Sequence, residues 1–227
     1  TGDEPTGDEP TGDEPTGDEP EKEVIEALPK NKKYRILFIG NSYTFYNDMP
    51  TAIFAPMAEA AGLALEVTAV TKGGWKLSRF ADPADEGGAL LAAELAKGKK
   101  YDYVVLQDHS LRTIKNPDKF FAGVAACRDL LADRAGEFIL YVTWGRKAGS
   151  PQLEELGLTT AEMAERISAA YGEAAKRYGM KLAEVGRAFL AESEAHPDVE
   201  LYNADLTHPS PAGSEIVART ILKAIIE

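Results

Sequence analysis

The apolar positions of this chain recur in two rhythms. Between residues 34 and 39 they form a short, nearly unbroken run, Tyr-Arg-Ile-Leu-Phe-Ile, of the kind a strand carries when a parallel sheet buries both its faces. Alternating or β-branched runs at 63–71, 101–107, 137–144 and 181–185 predict four more strands. Between them, apolar residues spaced three and four apart predict helices over 49–61, 89–97, 117–135, 159–178, 188–194 and 211–226. Pro56 should kink or break the first helix near its first turn, and Gly62 and Gly179 stand where two helices should end. Segments 73–75, 82–88 and 145–151 carry turn and loop residues. Strand and helix thus alternate along the body. This order implies right-handed crossovers and an α/β fold, a three-layer α/β/α sandwich around a five-stranded, mostly parallel sheet.

Composition alters this picture at the N-terminus. Residues 1–20 are Thr-Gly-Asp-Glu-Pro repeated four times, the only internal repetition in the chain. With no apolar side chain to bury, they predict a disordered or extended acidic linker over 1–22, ahead of a single domain over 23–227. The repeat holds 8 of the 37 acidic residues and no basic one, which leaves 29 acids against 25 bases, a net charge of −4, on the remaining 207 residues. A body so mildly acidic lacks the basic stripe that nucleic acid or an anionic membrane requires, and no nucleic-acid partner is expected. No run of 18 apolar residues is present, so no membrane-spanning segment is expected. Cys127 is the only cysteine; it permits neither an intrachain disulfide nor a cysteine-based metal site and reads as a small buried apolar residue. An acidic Pro/Gly repeat ahead of a domain suits a tether on an exported protein, periplasmic, cell-surface or secreted, with a cytoplasmic enzyme as the alternative.

Candidate chemistry begins where the first strand ends. Gly40 tolerates φ > 0, and Asn41 and Ser42 are small polar residues that can cap a helix, so the chain should leave the sheet through a tight turn. Ser42 would then stand at the C-terminal edge of a parallel sheet, where ligands bind and helix-start N–H groups favour negative charge. It is either a nucleophile or only an N-cap. Asp205 lies three residues before His208 in a polar loop that precedes the last helix. Such an Asp can fix the imidazole tautomer and leave the other ring nitrogen free as a base, although the same spacing also occurs as a helix cap. Joined to Ser42, the pair would complete a Ser–His–Asp arrangement. His196, in an acidic loop, reads as structural.

The blocks I-G-N-S-Y-T (residues 39–44), Gly73-Gly74 after the second strand, a polar block at the end of the third strand and D-L-T-H-P-S-P-A-G (205–213) together resemble the SGNH (GDSL-like) esterase and acylhydrolase family. The likeness runs from residue 34 to the end and keeps the family's block order. It implies a flavodoxin-like SGNH-hydrolase architecture, Ser42 as nucleophile with Asp205 and His208 as its partners, and no metal or cofactor. It also implies an oxyanion hole built from the N–H of Ser42, the N–H of Gly73 or Gly74, with Gly74 favoured, and a third-block amide. That block departs from the family's Gly-x-Asn-Asp, reading Leu106-Gln107-Asp108-His109-Ser110. Gln107 carries the amide on a longer stem and is the expected third donor; its alternative role is a strand-end residue bonded to backbone.

Around this core, Asn41, Tyr43, His109, Trp144 and Arg146 are candidate pocket residues. His109 is a substrate contact, a supporting group or a surface-turn residue, and Trp144 with Arg146 either lines a pocket for a sugar or acidic substrate or simply ends a packed strand. Tyr43, Phe45, Tyr46, Asn47 and Asp48, just past Ser42, are expected at the pocket rim, although part of that set must also cover the sheet. No long apolar lid is evident, which favours a small-molecule or glycan ester as substrate. The second functional class is a non-catalytic glycan- or partner-binding module on the same fold, with the altered third block as the mark of lost activity. A phosphate site at residues 40–44 ranks third, because no further glycine lets the backbone wrap a phosphate. The first two readings part on one distance, that between His208 and Ser42.

Overall fold

The computed structural model describes Thr1, Leu28, Pro29 and residues 31–227. The acidic repeat expected to be a linker lies outside the described residues, Thr1 excepted. The body is built from β1 (Lys33–Gly40), α1 (Ser42–Phe45), α2 (Ala55–Ala60), β2 (Ala64–Thr71), α3 (Leu77–Phe80), α4 (Glu86–Leu95), β3 (Tyr101–Leu106), α5 (Ser110–Lys115), α6 (Pro117–Leu131), β4 (Ala135–Tyr141), α7 (Pro151–Leu156), α8 (Thr160–Tyr178), β5 (Lys181–Ala183), α9 (Val185–Ala195) and α10 (Pro211–Ile226). The five strands pair in parallel in the order β2-β1-β3-β4-β5. The order reverses between β1 and β3, the position at which open α/β sheets bind ligands.

The continuous apolar run in β1 has a direct structural cause. Alternate residues point to opposite faces, so Ile36 and Phe38 enter one core while Leu37 and Ile39 enter the other. The first core is closed by Met49, Phe54 and Ala58, by Val185 and Phe189 of α9, and by α10. The second is closed by α3, α4, α6 and α8 through residues such as Phe80, Leu91, Phe120 and Ile167. Helices thus cover both faces of the sheet.

Local departures from the sequence pattern follow from packing. The helix expected over 49–61 opens as a π-helical turn, Met49–Phe54, before α2 begins. The change of register falls beside Pro56, which has no N–H to donate to a residue four back. Helix α4 starts three residues early, taking Gly87 and Gly88 out of the expected loop. A Cβ on Gly88 would lie 1.7 Å from the Asp82 carbonyl oxygen, so that glycine serves close packing within a helix. Strand β4 leaves the ladder at Tyr141, where the expectation ran to 144. Helices α3, α5 and α7, of four to six residues, stand in segments to which the sequence pattern assigned no helix, and are too short for periodicity to reveal.

Gly40 shows the same logic at the strand end that matters most. Its φ is not positive, contrary to the reason given by the sequence. A Cβ there would instead lie 2.2 Å from Thr44 Oγ1 and 2.6 Å from Gln107 Oε1. Gly40→Ala is expected to cost about 1–3 kcal/mol by overpacking, read as a fall of roughly 2–4 °C in Tm for each kcal/mol in a domain of this size. An unchanged Tm would show that the turn can shift freely.

Candidate active site

The turn after β1 carries Ser42. Asn41 is the N-cap of α1: its Oδ1 accepts from Tyr43 N at 3.1 Å while its Nδ2 donates to the Trp75 carbonyl at 2.9 Å. Asn41 therefore borders the Ser42 pocket with both side-chain groups occupied, and it ties the Ser42 turn to the β2–α3 loop. Beyond α1, Asn47 and Asp48 sit in the left-handed region, at φ 57° and 50°. Asn47 Nδ2 donates to the Pro209 carbonyl at 3.0 Å and to Ser214 Oγ at 2.8 Å, which fastens this strained turn to the start of α10.

The Asp205–His208 loop arrives from the other end of the chain. Asp205 Oδ1 accepts the backbone N–H groups of Thr207, at 3.0 Å, and His208, at 2.9 Å, so one carboxylate oxygen shapes the turn. Leu206 is held at φ 60° inside it, and its carbonyl accepts from Lys147 N at 3.0 Å. The other carboxylate oxygen, Oδ2, lies 2.5 Å from His208 Nδ1, and His208 Nε2 lies 2.7 Å from Ser42 Oγ. Residues 166 positions apart thus meet at hydrogen-bonding distance. Tyr46 stacks on the imidazole with ring centroids 4.4 Å apart and planes at 15°, and Tyr43 meets it edge-on at 5.6 Å. The sequence placed Tyr46 only at the rim; its position four residues past Ser42 was the available signal.

The groups around Ser42 enclose about 410 Å³, lined by residues that include Asn41, Tyr43, Gly74, His109, Arg146 and His208. Among the described residues, no acceptor takes the backbone N–H of Ser42, Gly73 or Gly74. Gly74 holds φ +72°, a conformation that turns the β2–α3 loop toward this cavity at little cost only for glycine. A separate hollow of about 700 Å³, bordered by Lys147, Thr160 and Tyr202 among others, contains none of the candidate catalytic residues. Among the described residues no cluster of three or more metal-ligating side chains gathers, and no helix is long and apolar enough to cross a membrane.

Two expected positions differ. Gln107 is fully buried, and its Oε1 accepts from Asn41 N at 2.8 Å and from Thr44 Oγ1 at 2.9 Å, while its Nε2 donates to the Asp108 carbonyl. Its amide is therefore turned into the protein as a brace and is not presented to the pocket as the third oxyanion donor. Trp144 is also fully buried, stacked between Tyr43 at 4.5 Å and Phe189 at 4.3 Å, with its Nε1 donating to the Thr207 carbonyl at 3.1 Å. It offers no face to a sugar. Arg146 does border the cavity: one terminal nitrogen bonds Gln152 Oε1 at 2.6 Å and Thr207 Oγ1 at 3.2 Å, while its buried Nε has no partner among the described residues.

The electrostatics separate two neighbouring groups. Burial raises the Asp108 carboxyl to about 6, against the pull of the His109 and Leu77 N–H groups and Arg112. Burial, reinforced by Arg146, Lys76 and Arg112, lowers the His109 imidazole to about 4. Burial alone would raise Asp205, but bonds from the His208 ring and from the His208 and Thr207 N–H groups hold it below the usual carboxylate range.

No family model matches the sequence, and no curated protein matches it. Solved structures do. A protein of Slackia heliotrinireducens assigned to the SGNH hydrolases is 34% identical, with TM-score 0.73 over 86% of this chain and 100% of its own. A DUF4886 family protein of Bacteroides uniformis is 19% identical, with TM-score 0.70 over 85% of this chain and 83% of its own. The acetylxylan esterase Axe2 of Geobacillus stearothermophilus shares the fold at 15% identity, with TM-score 0.58 over 85% of this chain and 94% of its own.

Two outcomes are expected of these groups. Gln107→Leu strips the acceptor from the buried Asn41 N–H and should cost about 1–3 kcal/mol in a urea melt. The pH dependence of stability has opposing arms. His109, depressed in the folded state, loses stability as pH falls from about 6.5 to 4, since the unfolded chain then binds the extra proton. Asp108, raised in the folded state, gains stability as pH falls through about 6 toward 4. His109→Asn removes only the first arm, so Tm relative to wild type should improve between pH 7.5 and pH 4.5; a constant difference would contradict these protonation states.

Proposed function

This chain belongs to the SGNH hydrolase family, and from that premise we propose that it is a serine esterase working through Ser42, His208 and Asp205 and a covalent acyl-enzyme. The observation that carries the reading is the unbroken line from Asp205 Oδ2 through the His208 ring to Ser42 Oγ, with links of 2.5 and 2.7 Å. A binding module has no need of that line.

In this mechanism His208 Nε2 takes the Ser42 hydroxyl proton as Oγ attacks the ester carbonyl, and Asp205 stabilises the imidazolium that forms. The negative charge moves to the carbonyl oxygen, where the free N–H groups of Ser42 and Gly74 receive it. Collapse of the tetrahedral intermediate breaks the C–O bond to the alcohol, which leaves with the proton held by His208. Water then gives a proton to His208 and attacks the acyl-Ser42 carbonyl, and the released serine recovers its proton from the imidazolium. Stacking on Tyr46 and the edge of Tyr43 hold the imidazole plane through both half-reactions.

The substrate proposed is a small-molecule or glycan ester with a short acyl group. A cavity of about 410 Å³ is at the small end of ligand sites, which suits a short acyl group. The Arg146 guanidinium, which borders the cavity, suits an oxygen-rich alcohol or acid part.

The test is hydrolysis of a short-chain aryl acetate by folded wild type and variants. Ser42→Ala should abolish turnover, and Asp205→Asn should lower kcat by roughly 10⁴ through the wrong imidazole tautomer. Undiminished activity in Ser42→Ala would overturn the reading.

A further inference from the structure

Resting on the esterase reading, we propose that His109 is a catalytic residue, the third donor of the oxyanion hole, in which its neutral ring N–H bonds the developing alkoxide beside the N–H groups of Ser42 and Gly74. With the Gln107 amide consumed by Asn41, Thr44 and Asp108, the third-strand block has no amide to offer the pocket. His109 is the first side chain past β3 that lines the same cavity as Ser42, Gly74 and His208.

The backbone explains the switch from residue 107 to residue 109. Gln107 N still bonds the Ile39 carbonyl at 2.9 Å, which keeps it in the ladder beside β1 with its side chain against the Ser42 turn. Asp108 then anchors the chain on the opposite core: its N donates to Tyr171 Oη at 3.0 Å, and its Oδ1 accepts from His109 N at 2.7 Å and Leu77 N at 3.2 Å. His109 follows in extended geometry, φ −63° and ψ 123°, at the N-cap of α5, fixed by bonds on its neighbours. Among the described residues no group hydrogen-bonds either ring nitrogen, so the tautomer with its hydrogen toward the pocket is free to form.

Chemistry favours this donor as well. Burial first, and then the charges of Arg146, Lys76 and Arg112, keep the ring uncharged. A neutral imidazole polarises a carbonyl without a positive charge that would hold an anionic product or a buffer ion in the site. Ser110, next along the chain, also borders the cavity, so the effect must be assigned to the ring by substitution.

The experiment measures kcat and KM for p-nitrophenyl acetate, and the rate of Ser42 labelling by a fluorophosphonate, in wild type, Ser42→Ala, His109→Ala, His109→Asn and His109→Gln, each with matched circular dichroism. His109→Ala should lower kcat ~10²–10³-fold with KM nearly unchanged and should slow labelling, because the phosphonyl oxygen draws on the same donors. His109→Asn or His109→Gln, which restores an N–H₂ group near the lost one, should recover part of the rate. Wild-type kcat in His109→Ala, or equal losses in the alanine and both amide variants, would overturn the inference while leaving the esterase intact. A wild type that neither hydrolyses the ester nor takes the label would remove the esterase reading and this inference together.

Discussion

The hydrogen bond from the Asn41 N–H to Gln107 Oε1 is the interaction on which the site depends. It spans the β1–β3 gap at the sheet edge, and it exists only because residue 40 has no Cβ to occupy the same space. Thr44 adds its hydroxyl to the same oxygen, so one carbonyl group ties down both the N-cap and the body of the single-turn helix α1. Ser42 sits between those two points. Its placement is therefore set by an interior contact that never meets substrate, and the amide that makes it is unavailable for chemistry.

A second constraint couples the two ends of the chain. Phe189, Trp144 and Tyr43 stack face to face, with interplanar angles of 2° and 6°, and carry packing from α9 through the segment after β4 to the residue beside Ser42. Trp144 also holds the Thr207 carbonyl next to His208. The indole is thus a spacer that sets the distance between Ser42 and His208, a role that needs its full size and both faces. Arg146, two residues on, reaches the same loop through Thr207 Oγ1.

The sheet was legible in the sequence because a strand buried on both faces writes an apolar run, as β1 does, and the long helices write a regular stripe. Ser42, Asp205 and His208 stood out because small polar residues at a strand end and a local Asp-x-x-His have few structural uses in combination. Gln107 and Trp144 misled for one reason: at a sheet edge a polar amide or an indole can face the pocket or the interior, and nothing local decides which. The decision is made by distant groups, Gly40 and Thr44 in one case, Phe189 and Tyr43 in the other. Gly87 and Gly88 misled similarly, since a glycine selected for close approach looks the same in sequence as one selected for a turn. The short helices α3, α5 and α7 had too few residues to show a period.

The Asp205–His208 pair is assembled within four residues, while its link to Ser42 closes a span of 166. The first half is cheap in chain entropy and tolerant of distortion elsewhere; the second requires the sheet edge, the strained Asn47 turn and the start of α10 to dock together. The Ser42–His208 contact is therefore a single long-range closure. It is a gauge of global tertiary order, and in partial denaturation it would vanish while much of the helix content persisted.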